Sequence, residues 1–268
     1  MTTRMTAQRL GRLIAAGDGE AVGAAVESSP RLLTGTVERD GQGGWTPLHV
    51  AVAECQAGIA RQLVAAGADL GTRTEHSRTP LHVALEHCPD LVPLLLELGA
   101  VLDAPSAAYL GRLDVLTAHL DDGGSLDDGT SGVDLLSWAA LGGSAAAVRL
   151  LLERGADADG GALQAAASGG HLEVVRLLLD AGADADRRDP DTGRVPLHAA
   201  VTAGAGDSPA VVEALLAAGA DVNATTTDGA SALDISRVAA ARHRRGDSGR
   251  ATANDALADL LVSRGATD

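Results

Sequence analysis

The sequence contains no phenylalanine and no lysine, a single tyrosine (Tyr109), two tryptophans (Trp45 and Trp138) and two cysteines (Cys55 and Cys88). A chain that is 46% hydrophobic but 1% aromatic must build its core from Leu, Val and Ala, which suits thin helices packed closely. Apolar runs are short and interrupted, none approaching the roughly 18 residues that a membrane span requires. Met1–Thr6 leads into an amphipathic helix without the apolar centre of an export signal. With lysine absent, all 21 basic residues are arginine; 36 acidic residues outweigh them and the net charge is −15. So acidic a chain repels phosphate backbones, and nucleic-acid binding is not expected.

Against these absences stands a repeated stretch. Trp45-Thr46-Pro47-Leu48-His49-Val50-Ala51 continues to Leu63-Val64-Ala65-Ala66-Gly67-Ala68-Asp69, and Thr79-Pro80-Leu81-His82-Val83-Ala84 begins 33 positions after Thr46, followed by Leu95 to Ala100. The return marks one supersecondary unit copied end to end, each copy too small to bury its own apolar face. Thr caps a first helix and Pro occupies its first turn. A second, Leu-rich helix follows and stops at Gly67 or Gly99 in the left-handed conformation that glycine adopts cheaply. The cysteines fall at equivalent places in these two copies. A helix spacing of about 8–10 Å exceeds the roughly 7 Å Cα limit for a disulfide, so two free thiols in a reducing, cytoplasmic setting are expected.

These residues resemble ankyrin repeats, whose signature includes Thr-Pro-Leu-His-x-Ala. The likeness returns at Gly170–Asp184 and at Val195-Pro196-Leu197-His198-Ala199-Ala200 through Asn223. It implies an all-α repeat solenoid of helix-turn-helix units with β-hairpin fingers, forming a single domain. Residues 1–40 are read as a capping unit, 41–225 as six repeats, and 226–268 as a C-terminal repeat carrying an Arg-rich insertion at 240–252. Two middle repeats are short: Gly99 and Gly123 are 24 positions apart, and Gly155 and Gly182 are 27. What they lack are finger residues, around Asp103-Ala104-Pro105 and Asp159-Gly160-Gly161. Ala205-Gly206-Asp207 lengthens a later inter-helix turn.

The resemblance assigns His49, His82 and His198 to backbone hydrogen bonds between neighbouring fingers, and His171 to a structural role in an inter-helix turn. The acidic group Asp157, Asp159, Asp184, Asp186, Asp189 and Asp191 is read as turn-capping, because the distal Glu of a calcium loop is missing. No cofactor or metal is expected. Gly246-Asp247-Ser248-Gly249 lies on an Arg-rich insertion with no oxyanion scaffold, so it carries no serine-protease reading. Arg237, Arg242, Arg244, Arg245 and Arg250 concentrate positive charge there, and are read as a solvated cluster or a docking site for an acidic partner.

Function is sought where the copies differ. The family implies a concave surface of finger tips and first helices that binds another protein. Trp45, at a finger, is expected to be exposed and to anchor the partner, with Tyr109 facing the groove and Trp138 packed between repeats. Glu54, Glu75, His76 and Arg78 are further expected contacts, as are Glu86, His87, Leu141, Thr192 and Arg194. The acidic excess points to a basic partner surface and to a monomer. The alternative is a small-molecule binder or an atypical enzyme using a gap beside the shortened repeats, lined by Tyr109, Leu110, Asp134, Trp138, Leu141, Gln164 and Ser168, with His87, Asp134 and His119 as acid–base groups.

Overall fold

The computed structural model describes residues 5–39, 41–127, 133–203, 208–243 and 248–267, without the side chains of 203, 242–243 and 248–252. The chain folds as an all-α repeat solenoid, and its contacts divide it into two compact units between Ser106 and Ala107. In the first, α1 (Ala7–Ala15) and α2 (Gly19–Ser28) precede a hairpin of β1 (Val37–Arg39) and β2 (Gln42–Trp45). The helices α3 (Pro47–Ala53), α4 (Ala57–Ala65), α5 (Pro80–His87) and α6 (Val92–Glu97) follow. First helices stack as α1, α3 and α5, and α2 lies against α4. The strand β1 begins within the stretch read from sequence as the cap, so the first finger draws residues from both sides of position 40.

The helix α7 (Ala104–Leu110) runs into the second unit, which holds α8 (Leu113–Asp121), α9 (Leu135–Leu141), α10 (Ala145–Glu153), α11 (Ala162–Gly169) and α12 (Leu172–Asp180). After these come α13 (Pro196–Ala203), α14 (Ser208–Ala217), α15 (Ala232–His243) and α16 (Ser248–Ser263). Two rows run side by side: first helices α9, α11, α13, α15 and second helices α8, α10, α12, α14, α16. Their shared core is aliphatic, with Leu135, Leu136, Val148, Leu151, Val174, Val175, Leu178 and Leu215 fully buried. Among the described residues no helix is long and apolar enough to cross a membrane. Ala205-Gly206-Asp207, Arg244, Arg245 and Gly246-Asp247 lie outside the described residues, as do the side chains of Arg242 and Arg250; Arg237 is exposed on α15.

The Thr-Pro-Leu-His tetrads do what the resemblance implies. Thr46 and Thr79 cap α3 and α5, and in each the histidine Nδ1 accepts the capping residue's backbone N–H at 3.2 Å. That acceptor role leaves the proton on Nε2. His49 Nε2 donates to the Arg78 carbonyl at 3.0 Å, and His198 Nε2 to the Ala224 carbonyl at 3.0 Å, each reaching the next finger. Fingers also abut directly. Glu75 N–H donates to the Gly43 carbonyl (3.2 Å) and Thr227 N–H to the Thr192 carbonyl (3.0 Å). Gly44 (φ 80°) and Gly193 (φ 65°) sit at these junctions, where a Cβ would come within 2.7 Å of Glu75 N and 2.9 Å of Thr227 N.

At the shortened repeat after α6 the partner of His82 is a side chain. His82 Nε2 donates to Asp103 Oδ1 at 3.1 Å, and the same oxygen accepts Ser106 Oγ–H (2.7 Å) and Ser106 N–H (3.2 Å). Burial alone would raise the Asp103 carboxyl, but these hydrogen bonds, His82's first among them, outweigh it and hold the group down at about 2.

The free-thiol expectation is overturned, because Cys55 and Cys88 form a disulfide with Cα atoms 5.6 Å apart. The estimate of 8–10 Å applied the spacing of helix axes to residues that lie beyond helix ends. Cys55 sits past α3 in the left-handed region (φ 54°), and Cys88 caps α5 in an extended conformation. Both chains have turned off their axes before the sulfurs meet. The cytoplasmic expectation therefore loses one of the observations on which it rested.

Candidate functional site

In the first unit the finger and the C-terminal ends of α3 and α5 share one face. The expectation of an exposed Trp45 is corrected here, since the residue is only 5% accessible. Its indole lies edge-on to His49 (6.1 Å between ring centroids) and tilted to His87 (6.4 Å), with the Arg39 guanidinium 5.5 Å over the ring. Glu54 holds that guanidinium in place, Nη1 to Oε1 2.6 Å. The burial comes from three separate segments closing on the indole, which a reading of residues 44–46 alone could not show. The indole Nε1 is buried and has no acceptor among the described residues. Arg78 pairs with Glu86 (Nε to Oε1 2.9 Å) while its carbonyl serves His49. Among the residues expected here, Glu75, His76 and His87 are exposed.

In the second unit, Trp138 is 1% accessible and Tyr109 stands edge-on to it at 6.4 Å. Gly142 lies so close to the Tyr109 backbone that a Cβ could not be accommodated. The space expected beside the first shortened repeat is thus filled by the two aromatic rings and closed by this approach. Leu141 is half-buried and its carbonyl accepts from His171 Nε2 (3.1 Å), while Leu110 is 37% exposed. Asp134 is committed to capping α9, accepting Ser137 N–H at 2.6 Å and Ser137 Oγ–H at 3.0 Å. His119 Nε2 is bonded to the Ser125 carbonyl (3.1 Å). Of the seven side chains expected to line one pocket, Tyr109 and Trp138 thus pack on each other and Asp134 is engaged at a helix cap.

Two of them, Gln164 and Ser168, line a depression one repeat further on. It has a volume of about 380 Å³, with Gly161, Gln164, Ala165 and Ser168 from α11 and its approach on one side, Ala199 and Thr202 of α13 on the other, and Asp189 and Arg194 of the finger closing one end. A smaller depression of about 140 Å³ adjoins it, adding Arg187, Arg188 and Pro190. The opening follows from the missing finger before α11. Gly160 and Gly161 lead directly into the helix, and Asp159 just before them meets the finger that precedes α13, accepting the Asp184 N–H (3.1 Å) and pairing with Arg187 (3.2 Å).

The acidic residues around this finger behave as turn caps. Asp157 accepts Asp159 N–H (2.9 Å), Asp184 accepts Asp186 N–H (2.9 Å), and Asp186 accepts Asp221 N–H (2.9 Å). Asp189 accepts Thr192 Oγ–H at 2.6 Å, Thr192 N–H at 2.8 Å and Asp191 N–H at 3.2 Å, which hold its carboxyl below the usual range. Ala199, Thr202 and Asp189 were not singled out from sequence as site residues. The available signal was the shortened Asp159-Gly160-Gly161 segment next to a full-length finger.

A family model described as ankyrin repeats (three copies) matches residues 13–106, 106–189 and 136–226. The chain belongs to the ankyrin repeat family. Such repeats generally serve as protein–protein interaction modules. Over 189 residues, 70% of this chain and 31% of the other, it is 31% identical to the B-cell lymphoma 3 protein homolog of Mus musculus. It is 40% identical over 75 residues to ankyrin repeat and SOCS box protein 5 of Bos taurus, and 34% over 92 to protein fem-1 homolog A of Danio rerio. Those two matches cover 28% and 29% of this chain and only 22% and 15% of those proteins. The likeness is therefore of the repeat array, within proteins of which this ankyrin chain matches a minor part.

Proposed function

We propose that this ankyrin array is a non-catalytic interaction module that binds another protein through its fingers and first helices. The observation that carries the reading is a division of labour among polar residues. His49, His198 and the turn aspartates are engaged in backbone hydrogen bonds and His82 with Asp103, whereas the exposed positions Glu75, His76, His87, Thr192 and Ser168 all lie on finger tips and first-helix ends. A charge of −15 favours encounter with a partner of opposite sign, so association is expected to slow with added salt.

The test is affinity capture from the native cell. A chain with Glu75→Arg, His76→Ala and His87→Ala changes is compared with one altered at Glu153 and Arg176 on the second-helix row. Loss of specific partners with the first set and retention with the second supports the proposal. Loss with the second set alone, or equal recovery with both, refutes it.

A further inference from the structure

We propose that the depression between α11, α13 and the finger preceding α13 seats an extended segment of the partner polypeptide that carries a carboxylate side chain; this rests on the interaction-module reading. Arg194 carries the argument. It is half-buried at the end of the depression, and among the described residues its guanidinium has no hydrogen-bond or ion-pair partner. Nearby arginines are committed: Arg187 to Asp159 Oδ2 at 3.2 Å, and Arg188 to the carbonyls of Gly193 (3.1 Å) and Thr225 (2.7 Å).

The acids that face Arg194 are committed too. Asp189 Oδ1 accepts from Thr192 and Asp191, as above, and Asp228 accepts the Thr226 hydroxyl. Both carboxylates lie near enough to Arg194 to feel its charge, yet neither touches it. A guanidinium presents five donors in a planar fork that matches a carboxylate in two parallel hydrogen bonds. Among the described residues no acceptor engages the Arg194 fork.

The remaining lining fits a main chain lying alongside. Gly161, Ala165 and Ala199 are small, so a backbone can approach α11 and α13 closely. The Gln164 carboxamide, half-buried, makes no hydrogen bond among the described residues and offers both a donor and an acceptor to a passing peptide unit. Thr202 and Ser168 are satisfied internally by the His198 and Ala165 carbonyls at 2.7 and 2.8 Å, so neither competes for these contacts. In the two adjoining depressions Arg187 is paired with Asp159 and Arg188 with two carbonyls, which leaves the Arg194 guanidinium without a hydrogen-bond or ion-pair partner among the described residues. Net charge governs encounter; this unengaged guanidinium governs what is seated.

The probe is a display library of random 12-residue linear peptides selected on the full chain, followed by fluorescence anisotropy with a labelled selected peptide. The expected peptides share an Asp or Glu at a fixed position. Arg194→Ala should weaken binding roughly 10–100-fold, the range for hydrogen bonds to charged groups. Arg194→Lys should recover only part of it, Gln164→Ala should weaken it less, and an Arg176→Ala change on α12 should leave it unchanged. The proposal is overturned if selection yields nothing beyond an Arg194→Glu control chain, if the selected peptides lack an acidic position, or if Arg194→Ala leaves affinity intact. It is equally overturned if free glutamate competes at the peptide's own concentration, which would make the depression a small-molecule site. Peptides displaced by changes at Glu75 and His87 but not at Arg194 would remove this site while leaving the interaction-module reading in place.

Discussion

Acidification from pH 7.5 to 4.5 should destabilise the first unit through His49. The side chain is fully buried, with Nδ1 accepting the Thr46 N–H and Nε2 donating to the Arg78 carbonyl. Burial is the main reason its pKa falls from 6.5 to about 4, against smaller opposing contributions from the Arg78 and Thr72 backbone. The native state therefore keeps the ring neutral while the unfolded chain binds a proton below pH 6.5. Stability is fully present above pH 6.5 and is lost as pH falls towards 4. A gap of this size corresponds to about 3.4 kcal/mol in the acid limit and about 2.5 kcal/mol at pH 4.5. Trp45, against His49, reports the first unit, provided that Trp138 is replaced by Phe in both proteins compared. Urea unfolding followed by Trp45 fluorescence should then show a pH-dependent loss that is smaller in His49→Gln by about 2.5 kcal/mol. Identical pH dependence in the two proteins would show that His49 does not remain neutral in the fold, and would refute the tautomer assigned here.

Three further outcomes are expected. Reducing the Cys55–Cys88 bond with a dithiol, or replacing both residues by Ala, should cost the first unit about 3.5 kcal/mol from the loop entropy of its 33-residue separation; unchanged urea midpoints with and without reductant would contradict this. Asp103→Ala should cost about 1–3 kcal/mol by leaving the buried His82 Nε2–H without an acceptor, whereas Asp103→Asn should recover much of the loss, both read by thermal unfolding. Trp138→Ala should cost about 3–5 kcal/mol as a fully buried side chain, and a loss below about 1 kcal/mol in calorimetry would mean that the space beside Tyr109 tolerates a void.

The repeat architecture was legible because its signals are local. Thr46 and Thr79 cap, Pro47 and Pro80 begin helices, and Gly67 and Gly99 end them at φ 98° and 100°. Each of those roles depends on residues within a few positions. Burial of Trp45 depends on Arg39, Glu54 and His87, contributed by segments before and after it, and no pattern at the finger itself encodes that enclosure. The disulfide was missed for a related reason: helix spacing is a property of axes, and Cys55 and Cys88 lie where the chain has left them. Gln164 and Ser168 line a depression with Ala199 and Thr202 rather than with Tyr109 and Trp138, since sequence reveals that residues are missing without revealing which neighbour moves in.

The two deletions are handled differently, and that difference locates the open site. At the first, Asp103 supplies the acceptor that a finger carbonyl would have offered to His82. Farther along, within the second unit, Gly142 lies against the Tyr109 backbone and the Tyr109 ring against Trp138. At the second, Gly160 and Gly161 pass close to Asp134 and Ser137 on one side, where a Cβ on Gly161 would come within 3.3 Å of Ser137 Oγ. On the other side Asp159 accepts the Asp184 N–H at 3.1 Å and pairs with Arg187 at 3.2 Å, while among the described residues the Gln164 carboxamide and the Arg194 guanidinium have no hydrogen-bond partner. A deletion that served only to shorten the array would be expected to close on both sides, as unpaired half-buried polar groups cost stability. The unengaged polar groups at this second opening are what single out Arg194, rather than the buried Trp45, as the residue whose replacement should change recognition without changing the fold.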